Sequence, residues 1–302
     1  MPQKFGRHAT LALILSLPLP VATPAAGPLD AALWEGADKI LGRPSKALPG
    51  DVHRYGWPRT DLHVKIGTTE LAPTLALGSW AGLFKVGAEA RVMAMGDLVL
   101  LADEVNPVIR ALQAGGLDVL AVHNHLIGES PQVVYVHFGG HGELEAVAKA
   151  LRSALDATKT PLGAPGPPSS PSAEEAAVLE QVQAALGRKG ALAGRVLQVG
   201  VPRAGAIEED GALIPASAGM STALNFQVVE SKVAATGDFV MVAEEVNPVV
   251  RELEAHGIQV TALHSHMLRE TPRLFFMHFW AQDDPTRVAQ GLKAALSKMA
   301  VE

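Results

Sequence analysis

The sequence predicts an α+β protein built from one module used twice, each copy a mostly antiparallel sheet with helices packed on one face. Three observations predict it. Residues 96–155 align without a gap on residues 237–296, with 26 of 60 positions identical. That spacing is far longer than a solenoid repeat, so it marks a duplicated module. Between the copies runs "TKTPLGAPGPPSSPSAEE", whose Pro, Gly and Ser content disfavours both helix and ladder and reads as a linker. Within each copy, strand-like and helix-like periodicities follow the order β-α-β-β-α, preceded by further strands.

Taken in order, residues 1–26 read as a signal peptide. Lys4, Arg7 and His8 give a basic start, "TLALILSLPLPVA" an apolar stretch, and "TPAAG" small residues for cleavage. The apolar stretch is too short and too proline-broken to span a bilayer. Export to the periplasm or the exterior is therefore expected, with module 1 over residues 27–158, the linker over 159–174 and module 2 over 175–302. Upstream of the ungapped match, "LGR" at Leu41 corresponds to "LGR" at Leu186, "YGWPR" at Tyr55 to "VGVPR" at Val199, and Gly78 to Gly219. "TDLHVKIG" alternates Asp61, His63 and Lys65 with Leu62, Val64 and Ile66, the pattern of a half-buried strand. "ARVMAMGDLVLL" reads as one or two strands. "NPVIRALQAGG" reads as a helix with Asn106 as N-cap, Pro107 in the first helical position and Gly115-Gly116 at its end. "LDVLAVHNH" and "QVVYVHF" are β-branched strands joined by a turn near Ser130 and Pro131. "ELEAVAKALRSALDA" places Leu144, Val147, Ala148, Leu151 and Leu155 at helical intervals.

The composition narrows the function. The chain of 302 residues carries a net charge of −6 with its cations scattered, which excludes the basic footprint of a nucleic-acid binder. Hydrophobic residues make up 48% of it, ample material for a core, and no stretch after the leader is long and apolar enough to span a membrane. There is no cysteine. An exported chain without disulfides is held by its core alone, and any metal ligands must be His, Asp or Glu.

Chemistry concentrates in "AVHNHLIGESPQVVYVHF" and its twin "ALHSHMLRETPRLFFMHF". Residues two apart on a strand share a face, so His123 and His125 point together, as do His264 and His266. A hairpin centred near Ser130 and Pro131 sets His137 opposite His125, and His278 opposite His266, with Cβ atoms roughly 5 Å apart. Three neutral imidazoles then make a site for a divalent transition metal, Zn or Cu foremost. Glu129 and Glu270, in the turns, are the candidate acid/base groups. Two other readings stand beside this one: a proton-transfer or anion-binding site without metal, and a hydrogen-bonded structural cluster. His-x-His-x3-Glu is similar to the first cupin motif, but the glycine that should follow is missing and the third histidine comes too soon. Among the other shared residues, Asp97 and Asp238 read as turn residues, and Glu104, Glu245, Asn106 and Asn247 as caps. Arg59, Arg203, Arg110 and Arg251 are solvated cations or anion contacts. His53, His63, His141 and His256 have no counterpart and stay outside the site.

"PRTDLHVKIG", "LALGSW", "DEVNPV", "TKTPLG" and "ALHSHMLRETPRLFFMHFWA" resemble the LppY/LpqO-type exported proteins, over residues 33–298. The resemblance implies a cell-envelope location and a twofold module, and no established reaction, cofactor or catalytic residue. The chain lacks the acylated cysteine of the lipoprotein members. The expected function is therefore an exported protein binding a divalent metal or small ligand, or, alternatively, a metal-assisted hydrolase of an envelope component or a structural interaction protein.

Overall fold

The structure is a computed structural model that describes residues 29–87, 90–163, 166 and 169–302; the expected signal peptide lies outside the described residues. Module 1 runs α1 (Ala31–Leu41), β1 (Lys46–Leu48), β2 (Val52–Pro58), β3 (Lys65–Ile66), β4 (Thr69–Glu70), α2 (Pro73–Ala76), β5 (Gly78–Lys85) and β6 (Arg91–Leu100). It continues with α3 (Ala102–Ala114), β7 (Asp118–His123), β8 (Glu129–Ser130), β9 (Val134–Glu143) and α4 (Leu144–Asp156). Module 2 repeats this as α5 (Ala173–Leu186), β10 (Ala191–Ala193), β11 (Val196–Pro202), β12 (Glu208–Glu209), β13 (Ala212–Leu213), a 3₁₀ turn (Ala216–Ala218), β14 (Ser221–Val229) and β15 (Lys232–Met241). Then come α6 (Ala243–Ala255), β16 (Gln259–His264), β17 (Phe275–Asp283) and α7 (Pro285–Leu296).

Each module is a six-stranded sheet, ordered β1-β2-β5-β6-β9-β7 and β10-β11-β14-β15-β17-β16, with every pairing antiparallel. The expected α+β duplication is the fold. Helices cover one face: Trp34, Leu41, Leu112 and Leu151 pack on Tyr55, Trp57, Leu83 and Phe138. In module 2, Leu179, Leu186, Leu253 and Leu292 pack on Phe226, Phe239 and Phe279. The other faces meet each other. Val52, Phe84, Met93 and Met95 pack on Ile207, Ile214, Met220 and Phe276. In a second cluster, Val64, Leu71, Leu75 and Tyr135 pack on Val196 and Ala234. The layers are therefore helix, sheet, sheet, helix, as in a sandwich whose inner faces interdigitate.

This layering explains the run "VMAMGDLVL". Val92, Ala94, Leu98 and Leu100 face the helices, while Met93, Met95 and Val99 face the opposing sheet. With both faces covered, the strand is apolar almost throughout and its alternation is hidden. Asp97 is the exception on the inner face, and Asp238 takes its place in β15.

Several local expectations are corrected. Asp97 is 3% exposed inside β6, paired with Trp80 and His137, so it is no turn residue. Asn106 and Pro107 lie within α3, which starts at Ala102; Glu104 reaches back to accept the Leu101 N–H (2.8 Å), so the cap stands earlier than the proline suggested. Glu245 does the same for Val242 in α6 (3.0 Å), placing Asn247 inside that helix. "TDLHVKIG" forms only the two-residue β3, because it joins a small β4-β3-β8 sheet rather than the main one. Gly78 corresponds to Ser221, not Gly219: Ser79 accepts from Val99 N–H (2.9 Å) as Thr222 does from Val240 N–H (3.1 Å). Helix α5 begins at Ala173 on its Ser172 cap. The first linker residues are tied to module 1: Lys159 N–H donates to Glu104 (2.8 Å), and Arg43 to the Gly163 carbonyl (2.7 Å).

Candidate metal centre between the two sheets

The strands themselves bring the candidate ligands together. On the inner face of sheet 1, Asp97, His137 and Ala121 stand side by side on β6, β9 and β7, with His123 opposite Tyr135 one step along. Sheet 2 repeats this with Asp238, His278 and Ala262, and with His264 opposite Phe276. Gly96 and Gly237 make the close strand approach possible. A Cβ on them would come within 2.2 Å of the Trp80 carbonyl and 1.9 Å of the Ala223 carbonyl.

The expected hairpin register is four residues out. His137 faces Ala121 rather than His125, because the residues between β7 and β9 do not form a tight turn. There β8 leaves to pair with β3, Ile66 opposite Glu129. His125 and His266 sit just past the ends of β7 and β16 and bring their rings back into the same centre.

All six histidines then meet across the module boundary. His123 stacks on His264 at 3.7 Å, His125 on His278 at 3.7 Å, and His137 on His266 at 3.6 Å between ring centroids. Each stack pairs one ring from each module, and the last two exchange under the pseudo-twofold axis that relates the copies. Tyr135 closes one end on His125 (3.3 Å) and Phe276 the other on His266 (3.5 Å). The edge strands are tied together beside them by Asn124, whose side-chain amide donates to the Thr261 carbonyl (3.0 Å).

The carboxylates complete the set. An Asp97 oxygen lies 3.3 Å from His125 Nε2 and 3.5 Å from His137 Nε2. Asp238 lies 3.6 Å from His266 Nε2, and His278 Nδ1 bonds the Gly237 carbonyl at 2.8 Å, which fixes that ring. The Nε2 atoms of His264 and His266 are 2.9 Å apart. Three overlapping groups have ligand atoms all within 4.8 Å of one another: Asp97 with His123, His125 and His137; Asp238 with His266 and His278; and His123, His137, His264 and His266. The Nε2 atoms of His123, His125, His137 and His278, His264 Nδ1 and one oxygen each of Asp97 and Asp238 are buried with no hydrogen-bond partner among the described residues. Leaving so many buried polar atoms unsatisfied is costly, and a cation bound in one of these groups would satisfy those that face it.

Burial sets the protonation states. It lowers His137 to about 3 and His264 to about 2, with the neighbouring imidazoles adding to the effect. His125, His266 and His278 are held well below the usual value, and His123 below it, again by burial first. The rings are therefore neutral near pH 7, the form that ligates metal. Burial and the nearby Asp97 carboxylate raise Asp238 well above the usual carboxylate range. Two carboxylates facing one centre resist sharing negative charge unless a cation or a proton lies between them.

The centre opens on a cleft of about 630 Å³, lined among others by Asp97, His125, His137, Asp238, His266 and His278. Glu129 and Glu270 are buried but belong neither to the ligand groups nor to the cleft wall. Glu270 accepts the Leu274 N–H (2.9 Å) and faces Arg273 (3.3 Å). Arg59 and Arg203 are buried and internal, bonding Glu104 (2.7 Å) and Glu245 (2.5 Å), so neither is available to an external anion. Arg110 and Arg251 project to solvent without an ion pair among the described residues. His53 stacks on Trp34, His63 bonds Glu70, and His141 lies by Asp210, all apart from the centre. The candidate ligands that sequence reasoning missed are Asp97 and Asp238. A Gly-Asp pair repeated at the same offset inside an apolar strand is the signal that points to them.

The model of a family described as Domain of Unknown Function (DUF1259) matches residues 35–157 and again 180–298. A search of curated proteins found no match. Among solved structures, a trimeric bacterial microcompartment shell protein, PduB, is similar at 13% identity and TM-score 0.20, over 84% of this chain and 90% of that one. EtuB from Clostridium kluyveri is similar at 12% identity and TM-score 0.19, over 83% and 90%. TM-scores this low carry no argument about this chain.

Proposed function

The chain belongs to the DUF1259 family of unknown function through both of its modules, and from that premise we propose that it is an exported cell-envelope protein whose two modules together hold a divalent transition metal, Zn or Cu. One observation carries the reading: buried, unpartnered imidazole nitrogens and aspartate oxygens converge from both sheets on one centre. A nitrogen-rich donor set with neutral imidazoles suits Zn or Cu rather than Ca or Mg, which take oxygen cages. The leader in residues 1–26 and the LppY/LpqO-type motifs support export.

When bound, such a metal supplies Lewis acidity at the inner end of the cleft. The chain's own residues orient the rings, exclude bulk water and hold the two carboxylates close. A second reading, metal-assisted hydrolysis of an envelope component, is favoured by the cleft reaching four of the histidines. The carboxylates placed for proton transfer in that case are Asp97 and Asp238.

The test is elemental analysis of tag-free protein beside a His137→Ala, His266→Ala double variant, which removes a ligand from all three groups. Stoichiometric metal in the parent and none in the folded variant is expected. Equal metal content in both overturns the reading.

A further inference from the structure

The metal ligands obey the pseudo-twofold; the cleft beside them does not. In sheet 1, Lys46 stands opposite Arg54 on neighbouring strands, and Trp80 lies on the same inner face, opposite Gly56. The pseudo-twofold equivalents follow from the registers. Ala191 pairs with Gln198 as Lys46 does with Arg54, and Ala223 pairs with Asp238 as Trp80 does with Asp97. Lys, Arg and Trp in one copy thus answer to Ala, Gln and Ala in the other. All six residues line the same cleft. Module 2 folds the same way without them, so the fold alone does not require a cation pair or an indole at these places.

Arg54 is also without an ion-pair partner. Its guanidinium lies over the Trp80 ring, 4.1 Å from the centroid, and makes no hydrogen bond or salt bridge among the described residues. Stacking on an indole holds the plane of the guanidinium while leaving its N–H donors free. The position is prepared for Trp80: Gly82, opposite Arg54, and Gly219, from the 3₁₀ turn of module 2, leave space that a Cβ would fill 3.4 Å and 2.9 Å from the indole. Burial lowers Arg54 to about 10, still fully charged at neutral pH. A half-buried cation with open donors, aimed into a cleft, is the arrangement that takes a planar or tetrahedral oxyanion in bidentate fashion.

We propose that Arg54, held by Trp80 and assisted by Lys46, is the recognition site for an oxyanion group, a carboxylate or a phosphate, on a small ligand that enters the cleft from its module 1 side. The site goes beyond the metal reading and stands on different residues. Duplication left the metal centre symmetric and made the cleft one-sided, so a single ligand has one orientation. Its anionic group lies at Arg54 and the remainder extends toward the His and Asp centre.

The experiment titrates inorganic phosphate and, separately, acetate into the full-length protein by calorimetry at low ionic strength. Both titrations are run after chelator treatment and again after metal loading. The variant is Arg54→Gln, which installs the residue that module 2 already carries at this place and so preserves the fold. Saturable binding of either probe that weakens at least ten-fold in R54Q is expected, and the two probes separate phosphate from carboxylate recognition. Lys46→Ala is expected to give a smaller loss, because Lys46 is exposed. Binding that appears only with metal and is unchanged in R54Q would place the anion on the metal and overturn the proposal. So would the absence of binding by either probe to the parent protein in both states. Retained metal in R54Q keeps this outcome separate from any failure of the metal reading.

Discussion

The buried pairs Arg59–Glu104 and Arg203–Glu245 join the strand entering each module to the helix after its central strand, and they are not equal. Glu245 accepts from Arg203 at 2.5 and 3.2 Å, from Ala300 N–H at 2.8 Å and from Val242 N–H at 3.0 Å. Glu104 accepts the equivalent set: Arg59 at 2.7 and 3.3 Å, Lys159 N–H at 2.8 Å and Leu101 N–H at 2.8 Å. Removing one member of a buried pair costs about 3–5 kcal/mol, mostly from the charge left behind. In module 1, however, Arg59 keeps Asp61 at 2.9 Å. The corresponding residue in module 2 is Gly205, so without Glu245 Arg203 keeps the Val240 carbonyl (3.2 Å), as Arg59 keeps that of Val99 (2.8 Å), but has no second carboxylate. A charge-assisted hydrogen bond is worth about 1.5–3 kcal/mol, less where water reaches it, and Asp61 is 24% exposed. Glu245→Ala should therefore cost about 4 kcal/mol, and Glu104→Ala about 1–2 kcal/mol less. Equilibrium denaturation in urea at pH 7, followed by circular dichroism with the m-value checked, measures both. A Glu104→Ala penalty equal to or larger than that of Glu245→Ala refutes the reasoning, as do two penalties under about 1 kcal/mol.

Two further outcomes follow from the same geometry. Gly96→Ala and Gly237→Ala drive a methyl group into the carbonyl of the neighbouring strand. Each should cost at least about 2 kcal/mol in urea denaturation and lower metal content by displacing the adjacent aspartate; a neutral effect would contradict the close strand approach. Glu245 is opposed by burial but held below its ordinary value by Arg203 and the Ala300 and Val242 N–H groups. A folded pKa below the unfolded one, about 4.3, gives stability that is present above pH 4.3 and lost as pH falls through the folded value. Glu245→Gln should flatten the acid limb of the stability curve in that window, and an unchanged limb would deny the linkage.

Much of the fold was legible because its signals are local. The 141-residue offset between equivalent positions, the helical spacing of Leu144 to Leu155 and the β-branched runs gave two α+β modules. The histidine trios were legible because His-x-His shares a strand face. Asp97 was not, because a strand covered on both faces loses its alternation and an Asp after Gly looks like a turn. The register of β7 on β9 was not, because β8 pairs with a strand more than sixty residues earlier, a non-local choice. The union of two trios into one centre depends on docking of the sheets, which no repeat comparison contains. Arg54 and Trp80 escaped for the opposite reason: searching for what the copies share passes over what only one of them has.

Anomalous X-ray diffraction across the Zn and Cu edges, on crystals of tag-free protein, tests the central claim most directly. The account predicts a peak between the two sheets, within bonding distance of at least three residues of one ligand group: His123, His137, His264 and His266; Asp97, His123, His125 and His137; or Asp238, His266 and His278. An anomalous map featureless at that position, from protein never exposed to chelator, would contradict it.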